Sequence, residues 1–517
     1  MFNLGIHGSH NATLALSYGD DILEVVELER FISHKNAALY FYEKPVHAIN
    51  YVWQISEYFK RKYDFEFYDV ICINSMPEEV FPWKDVFGDT TIEYCDHHVA
   101  HTCSAFYQSP YQEALVVSFD GGSDEGFFNV YTIKRGEDPV KIYEGEKDYA
   151  VSYMTPANFI PAIRNEQDIY QGNLVYPGKL MGYVGYGNYR KDLAEKLIEF
   201  YESNTYDDVP DAVCRFVNKF FESPEWSQNF GLQDAQDIAT TNQIVFEKLF
   251  LEEIQPFLDK YPDLPLILTG GCALNIINNT SLARERKVFV PPNPSDCGIA
   301  LGALLFLIKP RHQVDITYSG SPVWDRMEIG RYLHEREDAQ DISAKEVAKI
   351  IHDGGIVGVV RGGSEHGPRA LGNRSLLCDA TNPDMKDIMN LDVKNREPWR
   401  PFSPIVRLED LNKYFDWEKE SRHMTFSPEV RPEYRELLSS VTHVDGTARV
   451  QTVTRDQNEY IYQILGELDT MSGHGVLLNT SFNVAGKPIL NTYKEAFEVL
   501  DTKPITGLVL EDFYFPK

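Results

Sequence analysis

The sequence predicts an α/β protein in two parts, a duplicated N-terminal unit followed by a second α/β unit. Three observations carry this. A strand, polar turn, strand, strand pattern over Phe2–Ile6, Gly8–Asn11, Ala12–Ser17 and Ile22–Glu27 recurs as Ala114–Phe119, a glycine turn, Phe127–Lys134 and Val140–Glu144. Amphipathic helical spacing runs over Val46–Lys62, Leu193–Tyr201, Ala212–Phe221 and Ala235–Leu258. Short apolar strands at Leu266–Thr269 and Ile356–Val360 each run into glycines, as strands do before phosphate-facing turns. Two facing copies would aim their turns at one bound phosphate. The plainer alternative for the repeat is two ordinary hairpins. The expected divisions are 1–308, a polar linker or strap over 309–343 with Pro310, Gly320 and Pro322, and 344–517, which starts with the helix Ala344–His352.

Bulk properties narrow the class. A chain of 517 residues, 43% hydrophobic and 13% aromatic, can build sizeable cores. There is no run of about 18 apolar residues, and the start Met1–Gly5 lacks the charged and apolar regions of a signal peptide, so neither a span nor export is expected. Seven scattered cysteines fit reduced thiols in a cytoplasm. The net charge of −29 opposes nucleic acid on average, although a local basic patch can override an average.

In chain order, His10 lies in the first turn, where its near-neutral pKa suits proton abstraction from a hydroxyl. Glu27, Glu29 and Arg30 read as surface ion pairs. Asp96-His97-His98-Val99-Ala100-His101 puts His97 and His101 one helical turn apart, a spacing that holds a divalent cation; His98 and His101, three apart, are the competing pair. Asp120, delivered by the strand Leu115–Phe119 into Gly121-Gly122, is a third ligand or a phosphate-facing group. Gly178-Lys179-Leu180-Met181-Gly182 reads as an interruption in which Lys179 approaches a phosphate. Gly270, Gly271 and Asn275, between the strand Leu266–Thr269 and a helix, expose backbone N–H groups to a nucleotide. Ser295 or Asp296 caps the helix Ile299–Leu307, and Asp296 brought to the same cleft completes a His/His/Asp/Asp set suited to Fe(II), Mn(II) or Zn(II).

Further on, Arg361, Arg369 and Arg374 sit in a run of glycines and a proline, and Lys394, Arg396 and Arg400 follow. On so acidic a chain this clustering points to an anion such as a triphosphate or acyl phosphate, because guanidinium binds phosphate in a bidentate fork. The strand Val476–Leu478 then leads to Asn479, Ser481 and Asn483, whose amides and hydroxyl suit a carbamoyl group or a ribose.

Taken together, Gly8–Asn11, His97–His101, Asp120–Gly122, Gly178–Gly182, Gly270–Asn275 and Ser295–Gly298 resemble the carbamoyltransferase family typified by antibiotic O-carbamoyltransferases and the nodulation carbamoyltransferase, as do Gly367–Ser375 and Asn479–Asn483 in the second half. The resemblance covers nearly the whole chain. It implies an actin/hexokinase-type (Kae1-like) first domain and a YrdC-like second domain. It implies iron, with manganese or zinc as alternatives, on His97, His101, Asp120 and Asp296, bridging to a nucleotide phosphate, and His10 as the turn histidine. It implies that the second half makes carbamoyl adenylate from carbamoyl phosphate and ATP with Mg(II), using the six basic residues and the three polar ones named above. The acceptor is a hydroxyl on a small molecule, sugar or natural product; a hydroxymethyl pyrimidine of DNA or a nucleotide, and threonylcarbamoyl-type transfer to tRNA, are the alternatives. A homodimer is among the expected assemblies.

Overall fold

The computed structural model describes residues 1–39, 45–75, 81–123, 126–164, 169–205, 209–221 and 229–517. Its N-terminal part holds two five-stranded sheets. The first comprises β1 (Phe2–His7), β2 (Thr13–Tyr18), β3 (Asp21–Glu27), β4 (Val70–Asn74) and β5 (Thr91–Tyr94), the second β6 (Glu113–Ser123), β7 (Gly126–Lys134), β8 (Val140–Gly145), β9 (Leu266–Thr269) and β10 (Val288–Phe289). Their orders are β3-β2-β1-β4-β5 and β8-β7-β6-β9-β10. In each, the first three strands are antiparallel and the last two join in parallel. The repeat is therefore a duplicated five-stranded unit and not a pair of hairpins.

Each copy ends in a helix, and these two helices lie between the sheets. His97–Gln108 is capped by Asp96, whose carboxylate accepts from Val99 N at 2.8 Å. Ile299–Ile308, of sequence IALGALLFLI, is apolar all round, as a helix enclosed on every side must be. The helices touch backbone to backbone: a Cβ on Gly302 would lie 1.9 Å from the Ala100 carbonyl oxygen. On its other side the second helix meets β1, where a Cβ on Gly5 would lie 2.1 Å from Ala300 O.

The C-terminal part is one mixed eight-stranded sheet of β11 (Gln340–Asp341), β12 (Val357–Val360), β13 (Arg374–Asp379), β14 (Ser403–Arg407), β15 (Gln451–Val453), β16 (Val476–Ser481), β17 (Gly507–Leu510) and β18 (Phe513–Pro516), ordered β11-β18-β17-β12-β13-β16-β14-β15. Alternation places Val357, Val359 and Leu377 under helices Ala344–His352 and Glu459–Ser472, and Val360, Leu376 and Cys378 under helix Tyr493–Thr502. Ser343 and Glu346 close a reciprocal cap at the start of the first of these helices.

Several expectations need correction. β6 runs on through Ser123, so Asp120, Gly121 and Gly122 are strand residues. Gly178–Gly182, read as interrupting a polar region, is part of helix Ile169–Tyr183. The stretch read as a linker contains helix Ile329–Glu335 and contributes β11 to the C-terminal sheet.

Glycines at the helix crossing and on an open helix should respond oppositely to an added side chain. Gly302→Val should cost at least ~1–3 kcal/mol, since the helices must separate. Gly330→Ala, on an exposed helix face with nothing within 4 Å of its Cβ position, should gain up to ~1 kcal/mol. Thermal denaturation of the two variants checks both signs.

Candidate functional site

The turn at the start of helix His97–Gln108 brings His97 and His101 to one side, because residues four apart share a face. β6 supplies Asp120 from the second sheet. Asp296 comes from a short 3₁₀ turn just before helix Ile299–Ile308; its carboxylate makes no cap and faces the histidines instead. His101 Nε2 lies 2.8 Å from Asp120 Oδ2 and 3.5 Å from Asp296 Oδ1. His97 Nε2 lies 3.9 and 3.8 Å from the same two oxygens. One donor atom from each of the four residues falls within 4.8 Å of every other. His98 leaves this group: its Nδ1 bonds Ser118 Oγ at 2.8 Å and its Nε2 the Gly126 carbonyl at 2.9 Å. Its burial lowers its pKa to about 4, consistent with a neutral structural imidazole.

Electrostatics in the quartet are opposed. Burial alone would lower the His101 pKa, but Asp120 and Asp296 overcome that and raise it to about 9. Both carboxyls, whose burial and mutual repulsion would push their pKa values up, are held low by the facing imidazoles. His101 Nε2 and Asp120 Oδ2 are buried without a geometrically sound hydrogen bond. Two carboxylates and two imidazoles, converging with unsatisfied ligand atoms at the wall of a cavity, fit a divalent metal.

His10 reaches the same place, its Nε2 3.4 Å from Asp296 Oδ2, and the pull of that carboxylate outweighs burial to raise its pKa. His7, which sequence reasoning passed over, is fully buried at the end of β1, with Nε2 3.5 Å from Asp296 Oδ2. Its signal was a histidine at the last position of an otherwise apolar strand.

In the second half, Arg369, Lys394, Arg396, Arg400 and Arg449 gather with few counter-charges. Burial, reinforced by Arg400, pulls the Arg369 pKa down to about 10; burial and Arg400 pull Arg396 to about 9. Lys394 and Arg449 are pushed well down by burial and by their cationic neighbours. Lys394 Nζ is anchored on Ser481 O at 2.7 Å and Asn483 O at 2.9 Å, and Arg396 Nε on Asn390 Oδ1 at 2.6 Å. Arg449 donates to Ser403 Oγ at 2.9 Å. Arg449 was not foreseen; a lone arginine before a strand gives no sequence signal. Glu397 is the nearby carboxylate, 3.2 Å from Lys179 and 3.7 Å from Arg400.

The two sites open on one cavity of about 1020 Å³, lined by His10, Asp120 and Asp296 at one end and by Arg369, Lys394 and Arg449 at the other. Against this geometry stand the comparisons. A carbamoyltransferase N-terminus model matches residues 31–305 and a carbamoyltransferase C-terminus model residues 348–517. The chain belongs to the carbamoyltransferase family. Nodulation protein NolNO of Sinorhizobium fredii is 31% identical over 447 residues, which cover 82% of this chain and 64% of that protein, so the chain spans just under two thirds of that relative's length. An uncharacterized protein of Methanocaldococcus jannaschii, MJ1051, is 26% identical over 529 residues and 99% of each chain. The 3'-hydroxymethylcephem-O-carbamoyltransferase of Streptomyces clavuligerus is 32% identical over 294 residues, 54% of each chain.

In this member of the family several residues expected to bind anions have other work. Arg374 is completely buried, and its guanidinium donates to the carbonyls of Arg361, Gly362 and Asn373, each at 2.9 Å. Arg361 donates to the Glu511 carbonyl, pairs with Asp512 at 2.9 Å and stacks on Tyr460 at 4.1 Å. Neither lines the cavity. Gly270, at φ +89°, is required because a Cβ there would meet Phe119 O at 2.2 Å. Asn275 caps helix Ile276–Glu285 and exchanges hydrogen bonds with Gln243 at 3.1 and 2.9 Å, so its amide is committed. Gly121, Gly271, Lys179, Asn479, Ser481 and Asn483 do line the cavity, whereas Gly270 does not. Arg30 is no surface residue: it is 5% exposed and binds across the two halves. Among the described residues no helix is long and apolar enough to cross a membrane.

The raised His101 pKa sets a pH dependence. Below about 9 the metal-free imidazole is protonated, whereas a metal takes it neutral, so metal uptake must release that proton. Apparent affinity should therefore rise about tenfold per pH unit from neutrality and flatten above about 9. Chelator competition over that range, with calorimetry in two buffers to count released protons, reads it out.

Proposed function

We propose that this carbamoyltransferase is an ATP-dependent O-carbamoyltransferase that carries a carbamoyl group from carbamoyl phosphate, through carbamoyl adenylate, to a hydroxyl of a small molecule, sugar or natural product. The observation that supports it most is the shared cavity: an acidic, imidazole-lined pocket at one end and a cationic cluster at the other. The name of the Streptomyces relative, an O-carbamoyltransferase acting on a hydroxymethyl group, points the same way.

Chemistry divides along the cavity. At the cationic end, one water hydrolyses carbamoyl phosphate to phosphate and carbamate, and the carbamate oxygen attacks the α-phosphorus of ATP, expelling pyrophosphate. Negative charge builds on phosphate oxygens there, and Arg369, Arg396, Arg400 and Arg449 stabilise it in a low-dielectric wall. Arg369 is the group to test: it faces Arg400, and no hydrogen bond or ion pair holds it among the described residues. Lys394, tied to Ser481 and Asn483, fixes the loop that closes this end. At the other end, the acceptor oxygen attacks the carbamoyl carbon, AMP leaves, and His10 takes the hydroxyl proton. His97, His101, Asp120 and Asp296 would hold a divalent metal, which when bound supplies Lewis acidity and positive charge for a nucleotide phosphate. Keeping both steps in one enclosed space protects the adenylate from water.

Partial reactions separate the two ends. Arg369→Ala should lower carbamoyl phosphate-dependent ATP–pyrophosphate exchange on the order of 100-fold. His101→Ala should retain exchange and lose transfer. Equal loss of both reactions in both variants would refute the division.

A further inference from the structure

The quartet uses one oxygen of Asp296. Oδ1 faces His97 and His101, whereas Oδ2 is the oxygen approached by His7 at 3.5 Å and His10 at 3.4 Å, in both cases by Nε2. The plain explanation is that two ring N–H groups hydrogen-bond the carboxylate. The opposite side of each ring points elsewhere. Asn74 Nδ2 donates to the Cys95 carbonyl at 2.9 Å, so its Oδ1 is the atom turned to His7 Nδ1, at 3.0 Å. An amide oxygen only accepts, and the proton therefore sits on His7 Nδ1. His10 repeats the pattern: Asn11 Nδ2 points at Asn36 Oδ1, 3.5 Å away, and Asn11 Oδ1 faces His10 Nδ1 at 3.1 Å.

A neutral ring held in this way presents the Nε2 lone pair. The two Nε2 atoms then face one carboxylate oxygen, each within 3.5 Å of it. His7 is fully buried, so water does not reach its Nε2, and that atom has no hydrogen-bond partner. An imidazole that donates Nδ1–H to an amide oxygen while aiming Nε2 at a carboxylate is set as a metal-binding histidine is set by its outer contacts. The duplication adds an independent reason. His7 ends the first strand of the first copy and Asp120 lies near the end of the first strand of the second, so the fold offers equivalent ligand positions on both sides of Asp296.

We propose that His7, His10 and Asp296 Oδ2 form a second divalent-cation site, bridged through the Asp296 carboxylate to the site of His97, His101 and Asp120. Two imidazoles and a carboxylate oxygen suit a borderline transition ion. Asp120 and Asp296 carry two negative charges against the four positive charges of two divalent ions, which leaves the pair matched to incoming phosphate oxygens. The inference rests on the metal reading of the first site and deepens it: a second ion when bound would supply further Lewis acidity at this end of the cavity, and with His10 then a ligand, the acceptor hydroxyl's proton would pass to the departing AMP phosphate in place of His10.

Manganese(II) alone is the probe. Purified protein stripped by chelator, reloaded with Mn(II) and desalted should hold two manganese per chain by elemental analysis and give an exchange-coupled paramagnetic resonance spectrum. His7→Phe and His10→Phe should each hold one, with an uncoupled spectrum; the partly exposed His10 serves as the second variant where replacing the buried His7 disturbs folding. His97→Ala should lose the coupling too. One manganese in the wild type that survives both phenylalanine changes and vanishes in His97→Ala overturns the second site and leaves the first standing. No manganese in the wild type overturns both.

Discussion

One buried arginine joins the halves of this protein. Arg30, in the turn after β3, pairs its Nε with Glu27 at 2.7 Å and donates its two remaining guanidinium nitrogens to the carbonyls of Glu365 and Gly367 in the C-terminal half. Glu27 accepts in turn from Gly367 N at 2.7 Å. The chain then crosses so close to the N-terminal loop that a Cβ on Gly367 would lie 2.3 Å from Pro292 O, and His366 bonds the Cys297 carbonyl at 2.9 Å. That N-terminal loop carries Asp296, and the C-terminal loop carries Arg369. A rigid join at this point is what makes one cavity of two sites. Breaking a buried pair that also holds backbone carbonyls leaves charge and polar groups without partners, which is why such joins tolerate little change.

The loop is organised from within as well. Glu365 Oε1 accepts from Leu371 N at 2.7 Å, Asn373 N at 2.7 Å and Arg374 N at 3.1 Å. A carboxylate that gathers three N–H groups winds the chain round itself and turns the intervening Arg369 outward into the cavity. The cationic cluster thus stands on a buried anion. A chain with a net charge of −29 holds a positive pocket because its acidic surplus lies elsewhere on the surface.

Legibility in the sequence followed the range of the interactions. β9 spans the residues that alternation and glycine punctuation indicated, Leu266–Thr269, and helix Ala344–His352 likewise, because local patterns decide both. The His97–His101 spacing was readable since helical geometry sets it, and the choice against His98 was not, since it depends on Ser118 and Gly126 from another sheet. The stretch Gly178–Gly182 gave no sign of its helix, which Leu180 and Tyr183 hold by packing into the core. Arg361 and Arg374 looked like anion ligands because an arginine among glycines looks the same whether its five donors meet phosphate or backbone carbonyls. Only the fold shows that Arg374 lies inside a ring of carbonyls and that Arg449, solitary in sequence, completes the cationic wall.

Duplication explains where the chemistry falls. In both copies the first strand ends, and the closing helix begins, at the same edge of the sheet. The first copy brings His7 and His10 near the end of β1 and His97 and His101 at its closing helix; the second brings Asp120 in β6 and Asp296 just ahead of its own closing helix. Because these helices cross at Ala100 and Gly302, their N-terminal ends are drawn to the same edge, where unsatisfied N–H groups and aligned peptide dipoles favour negative charge. Opposed copies therefore create a pocket suited to anions and line it with imidazoles from one copy and carboxylates from the other. Neither copy alone holds both kinds of ligand, so a centre of this composition requires the pair.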